Sequence, residues 1–358
     1  MKHIRESLQE LLHRHEQRLQ SRTLLELGAG GQHWPLQVVH LGSQDPVAPR
    51  VFVVGGIHGN ERIGVDVVMA FLHSLLEQLR WDAYLQALMQ SIHVVVVPVA
   101  NPSGYALGQR ATQDGIDLMR NAPLDSPQPH WLAGGQRLSR HLPWFRGHAL
   151  AAENVALIRL IEEQTRHATF SLSVDCHSGF GSTNRLWFPW AHKQEPMPHL
   201  AEIYALRTLF RQTYPHHIGY RIEPQCQHYM THGDLWDFLY ARHLARRRGL
   251  FLPLTLEMGS WLWVRKNPRQ LFRKHGWFNP QVPHRRRRIL RQHLLLLQFL
   301  LRAAANHTAW LPLQAERDQI FGDAQNYWAE HFGLVEPASN SRISEPSAKP
   351  ADSLPRQP

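Results

Sequence analysis

The sequence predicts an α/β protein, a mixed and largely parallel twisted sheet with helices on both faces. Three observations predict it. Four short apolar runs closed by turn residues read as buried strands, at 51–54, 93–99, 170–176 and 250–256. Helical spacing fills the intervals between them, over 62–80, 151–166 and 198–213. Residues able to carry chemistry follow the strands directly, where parallel sheets gather function.

In chain order, residues 1–27 set Ile4, Leu8, Leu11, Leu12, Leu19, Leu24 and Leu25 among charges at near-helical spacing. This predicts one amphipathic helix within residues 1–30, for packing or dimerisation. A catalytic domain over 31–335 follows, and the 358-residue chain, with 43% hydrophobic and 19% charged residues, is long enough to give it a sizeable core. The Pro- and Gly-rich stretch 121–149 predicts a long surface excursion, placed so that it can cover the mouth of a site. Residues 284–305 predict one long helix, Arg-rich at its start and Leu-rich in its second half. Pro, Ser, Ala and charges dominate 336–358 and predict a disordered tail.

No apolar run approaches the roughly 18 residues of a membrane span. The amino terminus turns charged at once with no apolar h-region, so no signal peptide is expected. Two cysteines, Cys176 and Cys226, exclude a disulfide scaffold and a Cys-rich zinc finger. Reduced thiols in a cytoplasmic setting are the expectation, and a single bridge between the two stays open.

The turns after the strands carry the chemistry. Gly55-Gly-Ile-His58-Gly-Asn-Glu61 follows the first, Asp175-Cys-His177-Ser-Gly179 ends the third, and Thr255-Leu-Glu257-Met-Gly259 ends the fourth. Strand ends thus deliver two histidines and two glutamates. Two His and one Glu with an open fourth position is a catalytic zinc set, and a further Glu beside it can act as general base. His-x-x-Glu alone carries little, since it recurs at His3/Glu6, His13/Glu16 and His192/Glu195. His58/Glu61 differs by sitting in a glycine-flanked turn after a buried strand.

Further landmarks follow in order: Asn101-Pro-Ser-Gly-Tyr105, Arg110, then Asp117-Leu-Met-Arg120-Asn121, and later Tyr229. Together with the strand-end residues these resemble the zinc carboxypeptidase family of carboxypeptidase A-like metallopeptidases, in family order from residue 51 to 259. The resemblance implies a zinc carboxypeptidase-like (phosphorylase/hydrolase-like) fold and one zinc ion per chain held by His58, Glu61 and His177. It implies Glu257 as general base, Arg110 steadying an oxyanion, and Arg120 pairing with a substrate carboxylate. Asp117 then holds the first zinc histidine in one tautomer, while Tyr229 and Asn121 complete the substrate-binding set.

Three positions depart from the pattern. Met119 stands where the family has Asn before the carboxylate-binding Arg. Ser103 replaces the usual Asp, and Trp236 falls where a residue often lines the side-chain pocket. The implied activity is amide-bond cleavage in small peptides, those derived from cell walls included. The alternative is an N-acyl amino acid deacylase of the succinylglutamate desuccinylase and aspartoacylase type, which shares His-Gly-Asn-Glu.

Other residues read as structural. Trp187, Phe188 and Trp190 are expected in the core, Cys176 is expected to point away from the metal, and His216, His217, His228 and His232 show no ligand spacing. Asp175 is open between a support for His177 and a structural role. A nucleophile elbow, a phosphate-cradling loop and His-Glu-x-x-His are all missing from the sequence. The net charge of +10 concentrates at Arg246–248 and Arg285–288, read first as solvated helix faces. A reading of another class makes the protein an anionic-surface or nucleic-acid binder through basic helices 240–248 and 284–305, with salt-sensitive binding.

Overall fold

The computed structural model describes residues 2–29, 32–217 and 219–332. It opens on helix α1 (Lys2–Arg14) and the strands β1 (Leu19–Ala29) and β2 (Gln32–Gly42). The single amphipathic helix predicted for residues 1–30 is therefore corrected: helix ends at Arg14, and a β-hairpin follows. The strand was hidden because β1 slips register between Thr23 and Leu25, so its apolar residues lose the period of two. Nor is α1 an appendage, since Leu8 and Leu11 are buried in the main core.

The rest runs β3 (Arg50–Gly55), α2 (Arg62–Gln78), α3 (Ala83–Ser91), β4 (His93–Val97), α4 (Pro102–Leu107), α5 (Ala152–Thr165), β5 (Phe170–Ser178), β6 (Asn184–Phe188), α6 (Leu200–Thr213), β7 (Tyr220–Pro224), α7 (Leu235–Arg246), β8 (Leu250–Met258), α8 (Trp261–Lys266), α9 (Pro283–Ala305) and α10 (Arg317–Phe332). The four predicted strands are β3, β4, β5 and β8. The predicted helices are α2, α5, α6 and α9. The predicted tail lies outside the described residues.

One eight-stranded sheet results, in the order β1-β2-β4-β3-β5-β8-β6-β7. The inner strands β4, β3, β5 and β8 are parallel, and β1, β2 and β6 bring antiparallel pairs to the flanks. The inner strands are buried on both faces, which is why they read as continuous apolar runs such as Val51-Phe-Val-Val54.

Topology positions the site. From β3 the chain crosses through α2 and α3 to β4 on one side; from β4 it returns through α5 to β5 on the other. Right-handed crossovers in opposite directions put these helices on opposite faces of the sheet. The connection leaving β3 runs toward β4 and the one leaving β5 runs the opposite way, toward β6, so the two diverge and a crevice opens at the carboxyl ends of these neighbouring strands.

Candidate active site and metal centre

Two glycines let the turn after β3 form. Gly56 adopts a φ of 66°, open to glycine at little cost. At Gly59 a Cβ would lie 2.0 Å from the backbone carbon of Gly104, so only a bare backbone passes there. Asn101 fixes the other side of this contact. Its Oδ1 accepts from the Gly104 amide at 2.8 Å, capping α4, and its Nδ2 donates to the carbonyls of Ile57 and Arg110. The Asn-Pro-Ser-Gly motif thus clamps the His58 turn to the Arg110 segment.

His58, at the end of β3, meets His177, at the end of β5, and Glu61 opens α2 between them. One ligand atom from each lies within 4.8 Å of the others, and all three residues are buried. The two Nδ1 atoms are 3.1 Å apart, and the Glu61 oxygens stand 2.9 Å from His58 Nδ1 and 3.2 Å from His177 Nδ1. Each opposite ring nitrogen faces its own carboxylate: His58 Nε2 to Asp117 at 3.1 Å and His177 Nε2 to Asp175 at 2.6 Å. With Nε2–H donated outward, both Nδ1 lone pairs and the Glu61 carboxylate converge on one point. Such a crowd of Lewis-basic atoms fits a divalent cation, with the carboxylates behind fixing the tautomers.

The local field agrees. Burial alone would lower the pKa of His177, but Asp175 and Glu61 reverse this and raise it well above the ordinary histidine range. Burial opposes ionisation of Glu61 too, yet His58 and His177 hold its carboxyl below the usual range. A pocket that favours positive charge on an imidazole also favours a cation.

Asp117, Arg110 and Glu257 surround this triad. Asp117 accepts from the Met119 amide and from Arg110 Nε at 2.8 Å besides its contact with His58. Burial again opposes its ionisation, and Arg110 and His58 outweigh it. Arg110 Nη1 also reaches Glu61 at 3.3 Å. Glu257 pairs in register with His177 across β5 and β8, so the two side chains share a face one strand apart. Its Oε1 accepts from the Phe180 amide at 2.8 Å. Burial, then the neighbouring charge of Glu61, pushes its carboxyl up to about 8.

A cavity of about 880 Å³ opens over these groups, and Arg120 and Tyr229 line it. Two of the Arg120 nitrogens donate to the carbonyls of Ala133 and Met119, and its guanidinium carbon lies 5.9 Å from the Tyr229 ring. The 121–149 excursion forms one wall, through His130, Ala133 and residues 140–144. It is pinned to the Tyr229 segment by the His130 amide donating to Met230 O and the His232 amide donating to Gly134 O.

Asn121 is not brought to the cavity. Its amide donates to the carbonyls of Arg146 and Ala149 and accepts from Ala151 and Asn154, so it braces the excursion and has no hydrogen bond left for substrate. Trp236 is likewise corrected. It is buried away from the cavity, and its indole N–H donates to Asp175 at 2.8 Å, behind His177. Asp175 is therefore a support for the histidine. Trp187 and His228, expected to be structural, line the cavity wall, and His228 is backed by Glu223 at 2.6 Å. Their place depends on β6 and β7 joining the sheet, which local patterns do not show.

Fold and donor set together define a protein of the mixed α/β class with a candidate metal centre at a sheet crevice. The zinc carboxypeptidase family model matches residues 4–260. The chain belongs to the zinc carboxypeptidase family. It is similar to carboxypeptidase E of Caenorhabditis elegans, 32% identical over 122 residues, which are 29% of this chain and 26% of that protein. It is also similar to carboxypeptidase D of Anas platyrhynchos, 24% identical over 49% of this chain and 12% of that protein. The chain thus spans about a quarter or less of these two relatives' lengths. Among solved structures, carboxypeptidase A from Helicoverpa armigera superposes with a TM-score of 0.63 at 17% identity, over 83% of this chain and 71% of that one. That likeness is one of fold.

Proposed function

We propose that this protein is a zinc-dependent hydrolase of the metallocarboxypeptidase kind, cleaving an amide bond in small peptides, cell-wall-derived ones included. The observation that carries the reading is the register of β5 and β8. It sets Glu257 beside a His58, Glu61 and His177 donor set that fits one cation. When bound there, zinc supplies a Lewis acid that polarises the scissile carbonyl and acidifies water. Glu257, held by the Phe180 amide, takes the proton of the attacking water and returns it to the leaving nitrogen. Arg110, aimed by Asp117, stabilises the developing oxygen anion. The free part of the Arg120 fork anchors a substrate carboxylate, and Tyr229 closes over it. A cytoplasmic setting belongs to the same proposal, supported by two buried free thiols, Cys176 and Cys226. Among the described residues no helix is long and apolar enough to cross a membrane.

The test is metal content measured alongside turnover on two panels: short peptides with free carboxyl termini, and N-acyl amino acids. One zinc per chain and peptide cleavage are expected. Glu257→Gln should keep the metal and lose about 10²–10⁴-fold in kcat. Cleavage of the acyl panel alone would replace the peptidase with a deacylase. A protein that holds no metal after reconstitution would overturn both.

A further inference from the structure

Beyond the site, charge is distributed in a way the proposed reaction does not use. Between Glu257 and Glu316 the sequence has no acidic residue and eleven arginines and lysines. This stretch leaves β8 just after the general base and runs through α8, a 3-10 turn at Pro268–Phe272, and the first turns of α9. Arg265, Lys266, Arg269, Arg273 and Lys274 are exposed and make no ion pair among the described residues. By contrast, Arg242 and Arg246 of the other basic helix are paired with Glu162. Helix α8, which leads into the turn, is tied to the start of α9, because Arg285 of α9 donates to the Trp263 carbonyl of α8.

Apolar side chains stand among these cations. Phe272, at the end of the 3-10 turn, is 92% exposed, and its neighbour Leu271 is 47% exposed. Trp261 and Trp277 are exposed nearby, and both indoles donate to Gly179 O beside the cavity, which Trp277 also lines. An exposed Leu-Phe tip ringed by unpaired arginines and lysines has two complements at once: an apolar layer for the tip and negative charge for the ring. An anionic lipid surface offers both. A nucleic acid would stack on aromatic rings but has no use for the leucine.

We propose that the 261–291 face docks on anionic bilayers, with Leu271 and Phe272 entering the interface and Arg269, Arg273 and Lys274 meeting the headgroups. The mouth of the cavity then faces the lipid surface.

The experiment is co-sedimentation of the full chain with vesicles of phosphatidylcholine alone and with 30% phosphatidylglycerol, at low and high salt. Binding to the anionic vesicles only, weakened by salt, is expected. Arg269→Gln/Arg273→Gln/Lys274→Gln should weaken it by about a hundredfold, at about fivefold per cation. Leu271→Ser/Phe272→Ser should also weaken it, at either salt. Turnover of a soluble small peptide should be unchanged in both variants, since none of these residues lines the cavity; this readout keeps the docking proposal separable from the peptidase one. Equal binding to both vesicle types, or anionic binding indifferent to both variants, would overturn the proposal. So would a single-stranded oligonucleotide that binds more tightly than anionic vesicles at equal phosphate.

Discussion

At the scale of single residues, support for the candidate ligands His58, Glu61 and His177 comes from groups far away in the chain. Asp175 holds His177, and Trp236 holds Asp175 from 61 residues further on. Trp236→Phe keeps an aromatic ring in place while removing this donor and part of the indole's volume. It should weaken metal affinity by up to about tenfold, the low end of what outer partners contribute. Chelator competition checks it, with circular dichroism showing an intact fold. A side-chain pocket role would instead move KM and leave metal affinity alone. His58, Glu61, His177 and Glu257 were legible in the sequence because each lies within a few residues of an apolar strand. Trp236 was not, because an indole behind a carboxylate is set by tertiary contact with no local signal. Asn121 misled for the same reason: its neighbour in sequence faces the cavity, and its own amide turns the other way.

At the scale of elements, the turn between β3 and α2 is a tight constraint on the site. Gly59→Ala drives a Cβ into the Gly104 backbone, which has no flexible end to yield. It should lower stability by more than about 1 kcal/mol and loosen metal binding with it, read by denaturant melts and metal titration. Gly322→Ala is the control in α10, where a Cβ meets nothing within 4 Å. It should raise stability by about 0.5–1 kcal/mol through helix propensity alone. The buried parallel strands and their helices could be read from periodicity. The β1–β2 hairpin could not, since its register slip and Pro35 break the alternation, and β6 and β7 carry Asn184, Arg185, Arg221 and Glu223, so neither reads as an apolar run.

At the scale of the whole molecule, several histidines are buried as neutral rings. Burial pushes His293 down to about 3, and burial with nearby positive groups holds His40 at about 4. Burial likewise takes His199 to about 4, against an opposing pull from Glu202. Unfolded, each would titrate near 6.5. Between about pH 6.5 and 4 these three sites bind more protons in the unfolded chain than in the folded one, so their contribution to stability falls as pH falls through that window, with Glu257 and Asp234, pushed up to about 8 and about 7 when folded, opposing it. Denaturant midpoints at pH 7.5, 6 and 5 should decline in step. His293→Gln should flatten the decline by about one proton's worth of slope, even if it lowers stability throughout; an unchanged slope would show that His293 is not part of it. The excursion 121–149 belongs to this scale too: its composition marked a loop, and only the closed fold made it a cavity wall.

Asp117 touches His58 with one oxygen and Arg110 with the other, and Arg110 in turn reaches Glu61. A cation at the His58, Glu61 and His177 set and an anion at Arg110 would therefore share a single wired frame. A cation that neutralises Glu61 releases Arg110 toward an anion, and an anion that draws Arg110 away leaves Glu61 more available to the cation. By reciprocity each raises the other's affinity by one and the same factor. A small carboxylate should then cling poorly to the stripped protein, and the stripped protein should regain its metal more readily when that carboxylate is present.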